Sequence, residues 1–216
     1  MFKKSLLVLS LCVFSLNAGA WSVPKLGGDE KPSGNIEADV TDFSAKSAAL
    51  AKVANESLVS INSAFDTEEI IAAKKAELSK IDAMTDPKEK GAATAKLNES
   101  ESAQAAKNLK SADAEQKVKS LTAVKQKKMS TALLNFGIAA LNAPALISKG
   151  KDILSGASLT NAMKVLPVKD ALPLIGRFVS DGGSTIAGFI KIAKGANIAI
   201  PEATATSAFV KDDGSI

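Results

Sequence analysis

Residues 43–65 read FSAKSAALAKVANESLVSINSAF, and the spacing within this stretch gives the first indication of architecture. Apolar and small side chains recur every three or four residues, which places them along one side of a helix. The members of this stripe are Phe43, Ser47, Leu50, Ala54, Leu58, Ile61 and Phe65. Asp42 or Thr41 is the expected N-cap. We therefore predict a long amphipathic helix.

A second helix is predicted directly after this stretch. Asp66 as N-cap and Glu69 three residues later form a capping box, and the helix should end near Met84. Its shared apolar face consists of Ile71, Leu78 and Ile81.

A third helix should begin at Asp86-Pro87, because aspartate caps free amide groups and proline suits the first helical position. No proline follows before Lys128, so the run has room for a single helix of about 60 Å at 1.5 Å per residue. Large aliphatic residues are few in this run, and disorder is the alternative.

Residues 129–148, MSTALLNFGIAALNAPALIS, carry no formal charge and are long enough to cross a bilayer. Asn135, Asn142 and Pro144 argue against a transmembrane segment, because amides are costly in lipid and proline interrupts helical hydrogen bonding. We predict a buried helix to about Leu141, a turn at residues 142–144 and a short helix over 145–154. A transmembrane segment remains the alternative.

Glycine and proline are frequent after Gly156, so we expect only short helices there. The predicted pieces are Ser158–Leu166, Asp170–Ser180 and Ser184–Lys194, followed by a flexible tail over residues 201–216. The predicted fold class is therefore all-α. A long antiparallel helical hairpin or three-helix array over residues 36–128 precedes a compact cluster of short apolar helices over residues 129–200.

The first 20 residues have the features of a cleavable export signal. Lys3 and Lys4 precede a mainly apolar stretch, and Ala18-Gly19-Ala20 matches the small-x-small pattern of signal peptidase sites. A retained membrane anchor, or a lipoprotein modified at Cys12, is the alternative. Residues 21–35 are glycine- and proline-rich and read as a flexible leader. We expect a bacterial periplasmic protein, with secretion or peripheral membrane association also open.

The charge distribution is uneven along the chain. Removal of Lys3 and Lys4 would lower the formal net charge from +4 to +2, which does not favour nucleic-acid binding. Residues 21–120 hold 14 basic and 17 acidic side chains, whereas residues 121–216 hold 11 basic and 6 acidic ones. The basic half could face an anionic membrane or partner, or the difference could be chance variation of a solvated surface.

The residue types that most enzymes depend on are scarce. The sequence has no histidine, a single arginine at Arg177 and a single cysteine at Cys12, which excludes Ser-His-Asp and Cys-His catalysis and disfavours a metal centre. Ser22–Lys25 and Ser148–Lys151 match the Ser-x-x-Lys spacing, but neither has the companion motifs of that chemistry. We expect no cofactor, and a hydrolase using carboxylates or a Ser-Lys pair is the weakest alternative.

One segment is a candidate binding face. In STIAGFIKIAKGAN, residues 184–197, helical spacing groups apolar residues on one side and lysines on another, which is typical of helices that lie on anionic lipid. The named face comprises Ile186, Phe189, Ile190, Lys191 and Lys194. The alternative is that its apolar side closes the protein's own core.

These features favour a non-enzymatic cell-envelope protein that acts through helix-mediated contacts, as a scaffold, adaptor or chaperone-like binder of an envelope protein or of itself. The alternative is a lipid-interacting or apolar-ligand-binding protein that uses the basic C-terminal half.

Overall fold

The computed structural model describes residues 32–211, and the all-α prediction is confirmed over this range. The predicted export signal, the Ser22–Lys25 motif, most of the predicted leader and residues 212–216 lie outside the described residues. The helices are α1 (Ile36–Asn62), α2 (Glu68–Asp82), α3 (Pro87–Leu109), α4 (Ala114–Lys119), α5 (Ala123–Ser155) and α6 (Leu166–Gly195). A short 3₁₀ turn at Leu159–Asn161 lies between α5 and α6.

The centre of the bundle is formed by α1, which packs against α5, α3 and α6. The predicted stripe faces this core, since Phe43, Leu50, Leu58 and Ile61 are at most 1% exposed. Burial of apolar side chains of this size stabilises a fold by about 1.5 to 3 kcal/mol each. Phe65 lies beyond the end of α1 and packs against Phe189, with ring centroids 5.8 Å apart.

Two of the three predicted caps are wrong. The N-cap of α1 is Asn35, whose side chain accepts hydrogen bonds from the amides of residues 37 and 38, so the helix begins before Asp42. The N-cap of α2 is Thr67 rather than Asp66, because the Asp66 carboxylate is paired with Lys74. The cap of α3 is Asp86, as predicted, with hydrogen bonds of 2.8 Å from the amides of residues 88 and 89.

The predicted run from Pro87 to Lys128 is not one helix. The first helix of this run, α3, ends at Leu109. The short helix α4 follows at Ala114–Lys119, and α5 begins at Ala123. The break is a packing effect, because it brings Ala114 and Val118 of α4 into the core against α6.

Pro144 does not end α5, contrary to the predicted turn at residues 142–144. The helix runs unbroken through it for 33 residues. Ala143 and Leu146 are buried on either side, and burial along α1 offsets the cost of about 3 kcal/mol for an internal proline. By length and composition α5 could cross a membrane, and half of its most apolar window is buried within the structure.

The prediction of short helices after Gly156 is also wrong, since residues 166–195 form the single helix α6. Two of its glycines, Gly182 and Gly188, are points of close helix approach. A methyl group on Gly182 would collide with the Phe136 ring of α5, and one on Gly188 would collide with the Leu109 side chain of α3. Close packing on both sides therefore keeps α6 continuous through residues that commonly end helices.

Residues 199–210 form an extended segment, here called the strap, that lies on the outer side of α5. Ser130 Oγ donates to the carbonyl of Ala199 over 2.6 Å, and Asn142 Nδ2 donates to the carbonyl of Ala205 over 3.2 Å. The Asn135 side chain donates to the Val210 carbonyl and accepts from the Val210 amide. The structure thus fixes much of the tail that was predicted to be flexible.

Replacing Asn135 by leucine is expected to release the end of the strap. The substitution removes two hydrogen bonds, of 2.7 and 2.8 Å, and should cost about 1 to 3 kcal/mol because the facing backbone groups lose their partner. Amide hydrogen exchange of residues 205–210 should accelerate. Asn161→Leu, in the loop at the far end of α5, is the control, and equal exchange in both variants would contradict the assignment.

Candidate functional site

The predicted binding face on α6 is largely built into the core. Ile186 is 4% exposed and Phe189 is fully buried, while Ile190 is partly buried against the same core. Lys191 and Lys194 are exposed. The structure therefore separates these five residues into a core-facing side and a solvated side, and it presents no free apolar face at this position.

The remaining Ser-x-x-Lys match offers no catalytic geometry. Ser148 and Lys151 both lie in α5 and both are exposed to solvent. The lysine between them, Lys149, is bound to Asp42 of α1 at 2.8 Å. A serine activated by lysine needs an enclosed site that excludes water, and this surface supplies none.

A cleft of about 660 Å³ lies between the start of α1 and the end of α5. Its wall carries the charged side chains of Glu37, Asp39, Asp152 and Lys164. Asp39 accepts a hydrogen bond from the Ser33 amide. Glu37 is paired with Lys164 at 3.1 Å. Across residues 32–211, no group of three or more acidic side chains is placed to hold a metal ion.

A buried ionic cluster joins α2 to α3. Lys74 Nζ lies 2.8 Å from the Asp66 carboxylate and 3.0 Å from the Glu101 carboxylate, and both acids are less than 10% exposed. Burial alone would lower the pKa of Lys74, but its hydrogen bonds to Asp66 and Glu101 outweigh burial and raise that pKa above 10.5. Asn62 of α1 donates to the same Glu101 oxygen over 2.7 Å. Each charged group here has a partner within the cluster, which indicates a structural role.

Within residues 32–211, the two most exposed large apolar side chains lie at the connection between α5 and α6. Leu159 is 99% exposed and Met163 is 78% exposed, and Leu166 at the start of α6 is 40% exposed. We call these three residues the apolar cap. Monomeric proteins rarely leave such side chains together in water, and clusters of them usually mark a contact surface.

The apolar cap is held in place by anchors on both sides. Val165 and Val168 are buried and fix the start of α6 to the core. The Asn161 amide donates to the Ser158 carbonyl, and the Lys164 amide donates to the Asn161 carbonyl. This turn and the buried valines position Leu159 and Met163 away from the bundle.

Basic side chains occur near the apolar cap in the sequence. Lys151, Lys169 and Arg177 are exposed, and no acid occurs between Asp152 and Asp170. Lys149 and Lys164 are also close in sequence but are paired with acids of α1. The hydrogen bonds from Lys149 and Lys46 outweigh the effect of burial and hold the pKa of Asp42 below 3.8, so this pair stays charged near neutral pH.

Sequence reasoning missed the apolar cap. Leu159 and Met163 fall within the predicted helix Ser158–Leu166, but the structure has only a short 3₁₀ turn at Leu159–Asn161 before α6 begins at Leu166. The sequence feature that could have indicated their exposure is the shortness of this segment, which is bounded by Gly156 and Pro167.

No family model matches the sequence, and neither a curated protein nor a solved structure is significantly similar to it.

Proposed function

We propose that this protein is a non-enzymatic component of the bacterial cell envelope that acts by binding through the apolar cap. The observation that carries the proposal is the near-complete exposure of Leu159 and Met163 on a segment whose neighbours Val165 and Val168 are buried. Exposed apolar side chains cost solvation energy in the free protein, and that energy is recovered when a partner covers them.

The scarcity of catalytic groups supports a binding role. The sequence has no histidine, and Ser148 and Lys151 lie on an open helical surface. The cleft between α1 and α5 has charged walls and is ill suited to an apolar ligand, because such ligands occupy pockets lined mainly by hydrophobic side chains. The predicted export signal supports a location in the periplasm.

Site-specific cross-linking tests the proposal in the native envelope. A photo-reactive amino acid at position 163 should cross-link a defined protein or lipid, and the additional change Leu159→Ser should reduce that product strongly. The same probe at position 124 is the matched control, because Val124 is 55% exposed but lies at the opposite end of α5. The proposal fails if position 163 gives no product above that of position 124.

A further inference from the structure

The shape of the apolar cap discriminates between kinds of partner. A groove that receives a partner helix recesses its apolar residues between neighbouring elements. Leu159 is 99% exposed, so it touches almost nothing of its own protein and projects outward. A projecting leucine and methionine can insert into a deformable layer such as the interfacial zone of a lipid bilayer.

The basic groups near the apolar cap in the sequence are opposite in charge to a bacterial lipid surface. Residues 149–177 contain five basic side chains and two acidic ones, Asp152 and Asp170. Three of the basic groups, Lys151, Lys169 and Arg177, are exposed. The small polar residues of the turn, Ser158, Thr160 and Asn161, suit the headgroup layer.

Helical spacing extends the same surface along α6. Leu166, Leu174 and Arg177 are separated by eight and three residues, which places them on one side of the helix. Leu174 is 42% exposed. Asp170 lies on this side as well, between Lys169 and Arg177 in the sequence.

We infer that the apolar cap is a docking site for an anionic lipid bilayer, with Leu159 and Met163 entering the interfacial zone and Lys151, Lys169 and Arg177 contacting lipid phosphates. This inference rests on the proposed function and names its partner. Apolar insertion and electrostatic attraction add together in membrane binding of this kind.

Vesicle sedimentation tests the inference with protein purified from the exporting cells, its N-terminus established by mass spectrometry. The protein should sediment with vesicles of equal parts phosphatidylglycerol and phosphatidylcholine and remain in solution with phosphatidylcholine alone. Leu159→Ser combined with Met163→Ser should weaken binding about tenfold or more, because two apolar groups no longer leave water. The matched control is Ile70→Ser combined with Val124→Ser, which removes apolar surface exposed elsewhere.

Charge is tested in the same assay. Lys169→Gln and Arg177→Gln should each weaken binding about fivefold, whereas Lys75→Gln and Lys80→Gln on α2 should leave it unchanged. Salt of about 1 M should weaken binding of the unaltered protein, because the Debye length falls to about 3 Å.

Insertion is tested with a fluorescent label. Cys12, within the predicted export signal, is the only cysteine in the chain, so Met163→Cys gives a single labelling site after processing. An environment-sensitive dye at position 163 should shift to the blue on anionic vesicles, and the same dye at position 124 should not.

Failure to bind anionic vesicles, or equal binding by the Leu159→Ser single variant and the unaltered protein, would overturn the inference. A protein cross-link from position 163 without vesicle binding would overturn it and leave the proposed function standing. If position 163 gives no cross-link and the protein binds no vesicles, the inference and the proposed function are both wrong. Thermal unfolding followed by circular dichroism verifies that the variants fold. The single variant Leu159→Ser changes a side chain that lies outside the core.

Discussion

Lys74→Met is expected to lower the free energy of unfolding by about 3 kcal/mol, because it leaves the carboxylates of Asp66 and Glu101 buried without their shared cation. The effect should be concentrated in α2. That helix buries only Ile71 and Ile81, so the ionic cluster supplies much of its attachment to α3. Amide hydrogen exchange of residues 68–82 should rise more than that of α1, and chemical denaturation measures the total loss.

Lys75→Met is the matched control for this substitution. Lys75 is the next residue of α2 and is exposed, so its replacement should change stability by less than about 0.5 kcal/mol. Equal stability of the two variants would show that the cluster contributes nothing beyond a surface ion pair.

The pH dependence of stability gives an independent test of Lys74. Its pKa is raised in the folded protein, so its contribution is complete below the ordinary value of 10.5 and is lost as pH rises through the higher folded pKa. The unaltered protein should therefore lose stability in that alkaline range, and the Lys74→Met variant should lose less.

Gly182→Ala is expected to destabilise the protein by about 1 to 3 kcal/mol, because the added methyl group would collide with the Phe136 ring. The ring is fully buried and packs at a tilt against Phe178 with centroids 4.7 Å apart, so it has little room to move. Thermal unfolding followed by circular dichroism measures the loss.

Gly183→Ala provides a control at the adjacent residue of the same helix. A methyl group there meets no other atom within 4 Å, and alanine favours a helix over glycine by about 1 kcal/mol. This variant should be as stable as the unaltered protein or more stable. If both substitutions behave alike, helix propensity and not contact with Phe136 determines the outcome.

The elements that were predicted well depend on nearby residues. The α1 stripe follows from helical spacing alone, and the start of α3 follows from Asp86 and Pro87. Both signals operate within one or two helical turns. The all-α class follows from the same local preferences, since alanine, lysine, leucine and glutamate favour helices.

The incorrectly predicted elements depend on distant residues. Pro144 and Gly182 are local signals for interruption, yet both lie inside long helices because packing against α1 and α5 favours continuity. The strength of those contacts cannot be judged from a window of neighbouring residues. A glycine that permits close approach and a glycine that ends a helix look the same in sequence.

The sequence left the environment of the predicted face on α6 open for a related reason. The pattern at Ile186 and Phe189 is equally compatible with a membrane face and with a core face, and the position of Phe65 determines which applies. Leu159 and Met163 are the opposite case. They are four residues apart, a spacing that is common in helices with a buried face, yet both lie in solvent because the chain turns between two helices. Exposure is a property of the assembled bundle.

Asn135 and Val210 are 75 residues apart in the sequence, and their pairing has a consequence for biosynthesis. During translation, α5 emerges well before the segment that covers its outer side. Until that segment arrives, the amides of Asn135 and Asn142 lack their later partners and the adjoining apolar surface stays open. The interval between these events ends only when the covering residues have reached α5, so this part of the surface is completed late in folding.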